Sequence, residues 1–99
     1  MFKKNYFCYV IQADEYVKIG FTSNLSRRMD TLQTGHHREL KLLASYPYRN
    51  ADLARTKESL LHQQFVHCRV RGEWFKAAPV KRFITRQKFI RALLWVTVL

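Results

Sequence analysis

Two apolar runs close together near the start of the chain constrain its fold more than any other feature. Residues 7–11 (F-C-Y-V-I) are apolar on both faces of a period-two pattern, as in a central strand, and residues 16–21 (Y-V-K-I-G-F) read as a second strand. The link Gln12-Ala13-Asp14-Glu15 is short enough to join them as an antiparallel hairpin. Thr22, Ser23 and Asn24 then offer N-cap oxygens ahead of Leu25, Met29 and Leu32 at helical spacing, and Gly35 stands where a helix-ending glycine belongs. Residues 40–46 read as a third strand ended by Pro47. Asn50 or Asp52 caps a second helix running to about residue 67, with Leu53, Ala54, Leu60, Leu61 and Phe65 on its apolar arc. Residues 71–75 read as a turn into a short extended piece. Pro79 suits the first turn of a third helix with Val80, Phe83, Ile84, Ile90 and Leu94 on one side. The expected fold is α+β: a small three-stranded, mainly antiparallel sheet flanked by helices in the order β-β-α-β-α-α. At 99 residues this is one domain, 1–99, with a basic C-terminal helix and an apolar tail from about residue 79.

Charge narrows the partner. Lys and Arg number 18 against 7 Asp and Glu, and from residue 76 onward there are six basic residues and no acidic one. Such a tail attracts polyanions, with nucleic acid first among them, and the contributors expected there are Lys81, Arg82, Arg86, Lys88 and Arg91. The most apolar stretch, residues 92–99, has eight residues where a membrane-spanning helix needs about 20, so no membrane partner is expected. With no secretory leader read ahead of the first strand, Cys8 and Cys68 are expected as free thiols in a reducing cytoplasm. The apolar run at residues 93–99 is expected to pack on the core or on a second copy of the chain.

Placing the polar residues on these elements gathers a pattern. Tyr9 shares a strand face with Phe7 and Ile11, and Lys18 alternates with Val17 and Ile19 on the neighbouring strand. At 100° per residue Arg28 lies about 60° from Leu25, beside the apolar stripe of the first helix, whereas Arg27 falls on the solvent side. Glu58 and His62 form an i, i+4 pair on the rim of the second helix's apolar arc. His36, His37, His62, His67 and Cys68 lack the short spacings of zinc ligands, and His62 and His67 point about 140° apart.

In order, the pieces Tyr9-Val10-Ile11, Lys18-Ile19-Gly20, Arg28, Glu58 with Leu61-His62 and Phe65, and Gly72-Glu73-Trp74-Phe75 resemble the GIY-YIG nuclease superfamily, especially its small phage and bacterial members. The resemblance spans roughly residues 6–84. It implies a DNA endonuclease hydrolysing phosphodiesters with one Mg2+ or Mn2+ ion: Tyr9 as general base or water-activating residue, Arg28 as the phosphate-stabilising cation, Glu58 as the metal carboxylate, and Lys18 and His62 in support. Arg27 joins the five tail residues as an expected nucleic-acid contact. Double-stranded DNA is expected over RNA only through this resemblance. Two rival readings stand beside it. One is a binding module of the same fold without turnover; the other is a nuclease subunit, dimeric or served by a separate DNA-targeting protein.

Overall fold

The computed structural model describes the backbone of residues 5–98 and the side chains of residues 5–94. The hairpin is present and tighter than the sequence suggests. Strand β1 (Tyr6–Ala13) and strand β2 (Tyr16–Thr22) pair antiparallel up to Ala13 opposite Tyr16, leaving only Asp14 and Glu15 in the turn. Asp14 takes a positive φ of 56°, a conformation that Asp tolerates better than most residues. Helix α1 (Leu25–Thr34) follows, its first turn capped by the Asn24 side chain, which accepts from the Arg27 N–H. Gly35 ends it at φ −89°, so the left-handed conformation expected of that glycine is not used.

Strand β3 (Lys41–Tyr48) runs through Pro47, which the sheet tolerates because β3 is an edge strand. Helix α2 (Ala51–Gln64) is capped by Asn50, whose side chain accepts from the Leu53 N–H. It stops short of residue 67, giving way to a 3-10 turn at Val66–Cys68. Strands β4 (Arg69–Arg71) and β5 (Trp74–Lys76) come next, joined through Gly72 at φ 54°, and helix α3 (Ala77–Val98) closes the chain.

The α+β class is as expected, but the sheet is not. It has five strands in the order β3-β1-β2-β5-β4, every pairing antiparallel, against the three strands and β-β-α-β-α-α order read from the sequence. The two extra strands have three residues each, too few to display an alternating pattern, and all of β4 is exposed.

The sheet buries both faces. On one, Cys8, Val10, Val17, Ile19 and Phe75 pack against Leu61 and Phe65 of α2 and Val80 and Ile84 of α3. On the other, Tyr9, Ile11, Ala13 and Leu40 meet the half-buried Leu25, Met29 and Leu32 of α1. Leu53 and Leu60 turn out to be exposed. Relative to Ala54 they sit about 100–120° round the helix, away from the buried line of Ala54, Leu61 and Phe65. Helix α3 also meets β3 through Gln87, whose side chain accepts from the Tyr46 hydroxyl at 2.8 Å. Beyond it Ile90 and Leu94 are exposed rather than continuing the stripe of Val80 and Ile84. The expectation for the tail at residues 93–99 falls largely outside the described side chains.

Candidate active site

Strand β5 pairs with β2 over Tyr16, Val17 and Lys18, the Ile19 N–H still donates to the Glu73 carbonyl at 3.0 Å, and beyond that β2 has an open edge. Helix α2 covers that edge with side chains in place of a strand. His62 Nε2 donates to the Ile19 carbonyl at 2.8 Å, and the Phe21 backbone N–H supports the Glu58 carboxylate. The geometry explains the pairing. Residues i and i+4 of a helix rise about 6 Å, and residues i and i+2 of a strand about 6.7 Å, so Glu58 and His62 match Phe21 and Ile19 in step. Counting from Ala54, Glu58, His62 and Arg55 fall about 40°, 80° and 100° round α2, all on the flank that faces this edge.

Four further groups meet here. Tyr9 lies opposite Gly20 in the hairpin register and is only 1% exposed. A Cβ on Gly20 would stand 2.5 Å from the Tyr9 hydroxyl and 3.2 Å from Glu73 Oε1, so the missing side chain of Gly20 is what lets phenol and carboxylate close over β2. Arg28, half-buried on α1 while Arg27 is exposed, lines the same cleft of about 430 Å³ as Tyr9, Thr22, Arg55 and Glu73. The Arg55 guanidinium stacks over the Phe21 ring at 5.1 Å.

Two carboxylates, Glu58 and Glu73, act on each other here, with Lys18 paired to Glu73 and His62 and Arg55 near Glu58. Burial raises the Glu58 pKa and the Glu73 carboxylate raises it further, against the opposing influence of His62 and Arg55. Glu58 Oε2 is buried with no hydrogen-bond partner among the described residues. An unsatisfied carboxylate oxygen beside a second carboxylate fits a hard divalent cation. Among the described residues no three His, Cys, Asp or Glu side chains gather as a metal-binding group, so Glu58, with Glu73 at most, would hold such an ion, as suits Mg2+ completed by water and phosphate. Tyr9 is pushed up to about 12, first by burial and then by Glu73 and Glu58, with Arg28 pulling the other way. Cys8 is likewise pushed up to about 12 by burial and by Glu58, which makes it a core thiol rather than a nucleophile.

The structure thus brings Tyr9, Arg28, Glu58 and His62 together, and it adds Glu73, Arg55 and Gly20. The sequence places Glu73 in the turn at residues 71–75 and assigns Arg55 no role, although Arg55 stands three residues before Glu58 on one helix flank. Lys18 shares the strand face of Tyr9, but its ammonium pairs with Glu73 Oε1 at 3.6 Å and lies over the Trp74 ring at 5.5 Å. His62 has its Nε2 committed to the backbone, which makes it a positioning residue. Lys81, Arg82, Arg86, Lys88 and Arg91 are exposed on α3, none of them lines this cleft, and they do not form one stripe. Lys81 and Lys88 share one side of the helix, Arg82 and Arg86 lie about 100–140° round from Lys81, and Arg91 stands apart from both.

The family comparison corrects the resemblance drawn from the sequence. The model of the T5orf172 domain family matches residues 5–93, and a GIY-YIG domain is not what is found. The motif pieces behind that resemblance are short strand and helix patterns, and they depart from it where it is most specific: Phe7-Cys8-Tyr9 lacks the Gly and Ile, Lys18 stands in place of the second Tyr, and no Asn follows Asn50. No curated protein and no solved structure is significantly similar to the chain. No helix among the described residues is long and apolar enough to cross a membrane. T5orf172 membership is compatible with a DNA-binding or nuclease-like role. With 89 of its 99 residues inside the match, the chain belongs to the T5orf172 domain family.

Proposed function

We propose that this domain hydrolyses phosphodiester bonds in DNA with the help of one divalent cation, Mg2+ or Mn2+. The observation that carries the proposal is the convergence of Tyr9, Arg28, Glu73 and Glu58 at the open edge of β2, with Glu58 Oε2 buried and unpartnered. Glu58 and Glu73 are the residues that would hold the cation. When bound, it supplies positive charge to the non-bridging and leaving oxygens as the phosphodiester is attacked. Arg28 places a guanidinium at the same phosphate, where charge builds up in the transition state. The Tyr9 hydroxyl, in the same cleft as Arg28, orients the attacking water. At neutral pH Tyr9 is a phenol that accepts a hydrogen bond from the water, and the phenolate fraction able to take the water's proton grows with pH. Arg55 extends the positive lining along the strand.

The test is incubation of the purified chain with supercoiled plasmid in Mg2+, in Mn2+ and in excess chelator. Nicking that needs the metal and is lost in Glu58→Gln, with the variant folded, is the expected result; nicking by that variant or in chelator overturns the mechanism. A second reading, DNA binding without turnover, is favoured by the high Tyr9 pKa alone, which keeps the phenol protonated. Retardation of DNA with no cleavage in any metal would establish it.

A further inference from the structure

The working face of the sheet continues past the candidate active site. The strand register sets Ile11, Lys18, Trp74 and Arg71 in one row across β1, β2, β5 and β4. Tyr9 and Gly20 form the next pair along the hairpin, two residues away. From Gly20 to Trp74 is therefore two residues along a strand and one strand across, or about 8 Å, on the order of one nucleotide step. At the far end of this row lies a separate cleft of about 630 Å³, lined among others by Trp74, Tyr16, Arg71, His36 and His37.

The chemistry of that cleft is specific. Tyr16 and Trp74 are large aromatic side chains that the sheet leaves partly uncovered, Tyr16 at 43% exposure. The imidazoles of His36 and His37 stack in parallel with centroids 5.7 Å apart, and His36 Nδ1 is buried without a hydrogen-bond partner. The Asp14 carboxylate, also on the cleft wall, is taken up by Arg38 at 3.2 Å, while Arg71 stands exposed on the edge strand β4. Aromatic faces beside an exposed guanidinium and imidazole ring nitrogens are what an unpaired nucleotide requires: a ring to stack on, and a cation and hydrogen-bonding groups for its phosphate and base.

We propose that this cleft is a second nucleic-acid site, which receives an unpaired nucleotide of the strand flanking the scissile bond. The base lies on Trp74 and Tyr16, the phosphate faces Arg71 and His37, and Lys18 bridges the two sites along the row. The cleft deepens the hydrolase reading, but its occupancy does not depend on turnover.

The experiment is a titration of the isotope-labelled full chain with the single-stranded pentanucleotide dT5 in excess chelator, followed by amide, indole and imidazole NMR signals. Saturable shifts are expected at Trp74 Nε1, Tyr16, His37 and Arg71, with roughly tenfold weaker binding by Trp74→Ala and a severalfold loss in Arg71→Gln. Arg71→Gln changes an exposed residue, so it covers the case in which Trp74→Ala does not fold. Shifts confined to Tyr9, Arg28 and α3, or no shifts at all, overturn the proposal. So does an equally tight response at the same residues to a glutamate pentapeptide, which would mark the cleft as a site for acidic peptides. The plasmid assay separates the two proposals. Cleavage without shifts in the cleft removes only the second site, and shifts without cleavage remove only the hydrolase reading.

Discussion

The two faces of the sheet are built to different standards. Under α2 and α3, eleven residues from Cys8 to Ile84 form a cluster in which none is more than 6% exposed. Under α1 the buried set is Tyr9, Ile11, Ala13 and Leu40, and α1 itself contributes no fully buried residue. The first face is where burial of apolar area holds the domain together. The second sets a phenol, an ammonium and an indole in sheet positions that an apolar core would fill: Tyr9 is buried, Lys18 and Trp74 are only half-buried, and a cleft adjoins Tyr9. Glu58 and His62 link the two faces: they project from a helix of the packed side to close the open edge of β2.

Substitutions that separate folding from turnover distinguish the two faces. The largest expected effect is that of Tyr9→Phe, which keeps the buried ring and removes only the hydroxyl. We expect turnover to fall by about 10²–10⁴, the usual contribution of a proton-accepting group, with the unfolding temperature nearly unchanged. Because burial and two carboxylates push Tyr9 up to about 12, wild-type turnover should climb through pH 9 without a plateau, and the variant's residual rate should be flat there. A wild-type plateau near pH 7 would show that Tyr9 is not the group that titrates.

The reciprocal change is Phe75→Ala on the packed face, where Phe75 is fully buried and meets the His62 ring edge-on at 5.0 Å. It should cost about 3–5 kcal/mol in a urea melt, a large share of a small domain's stability. The folded fraction should nevertheless still bind DNA. A cost below about 1 kcal/mol would mean that the face under α2 and α3 is not what holds the domain together.

Much of this division was legible in the sequence, and its limits have physical causes. The hairpin, the helix caps at Asn24 and Asn50, and the opposite exposures of Arg27 and Arg28 all follow from periodicity and capping chemistry, which act over a few residues. The strands at Arg69–Arg71 and Trp74–Lys76 do not, because three residues cannot show a repeat. Glu73 joins the site only through that unrecognised hairpin. Arg55 was missed because a charge on a helix flank has no meaning until its partner strand is known. The basic residues of α3 were counted correctly, but density along the chain says nothing of where a helix aims them.

Glu58→Gln should have a smaller effect, of opposite sign, on stability. Burial and Glu73 hold the Glu58 pKa above its ordinary value, so at pH 8 the folded protein carries a charge that it would shed if it could. Gln keeps an acceptor for the Phe21 N–H and removes that charge. Discounted for solvent screening, the variant should melt about 2–6 °C higher at pH 8. The advantage belongs to pH values above the raised pKa and should vanish as pH falls below the ordinary carboxylate value near 4.3. Added Mg2+ should raise the melting temperature of the wild type but not of the variant. A variant less stable at pH 8 would mean that the Glu58 carboxylate is a structural cap on β2 rather than a site held open for a cation.

The smallest expected effect is at Lys18, and it decides what that residue does on the lightly covered face. Its place on the strand beside Tyr9 suggests that its ammonium promotes the phenolate, in which case Lys18→Met would lower turnover by about 10² and move the pH profile upward. The structure favours another role. The cation that opposes the rise in the Tyr9 pKa is Arg28, while Lys18 sits between Glu73 at 3.6 Å and the Trp74 ring at 5.5 Å. Glu73 is partly exposed, with 42% of its side chain accessible, so the pair has the modest strength of a surface ion pair, about 0.3–1 kcal/mol. On the proposed mechanism, Lys18 and a divalent cation would compete for that carboxylate. Removing the ammonium should therefore lower the Mg2+ concentration for half-maximal cleavage by about two- to fivefold, the same energy read as a binding ratio. Turnover at saturating Mg2+ should change little, and the pH profile should keep its shape. If the profile moves instead while the Mg2+ requirement stays fixed, Lys18 acts on Tyr9 through space, and the pairing with Glu73 is incidental to the chemistry.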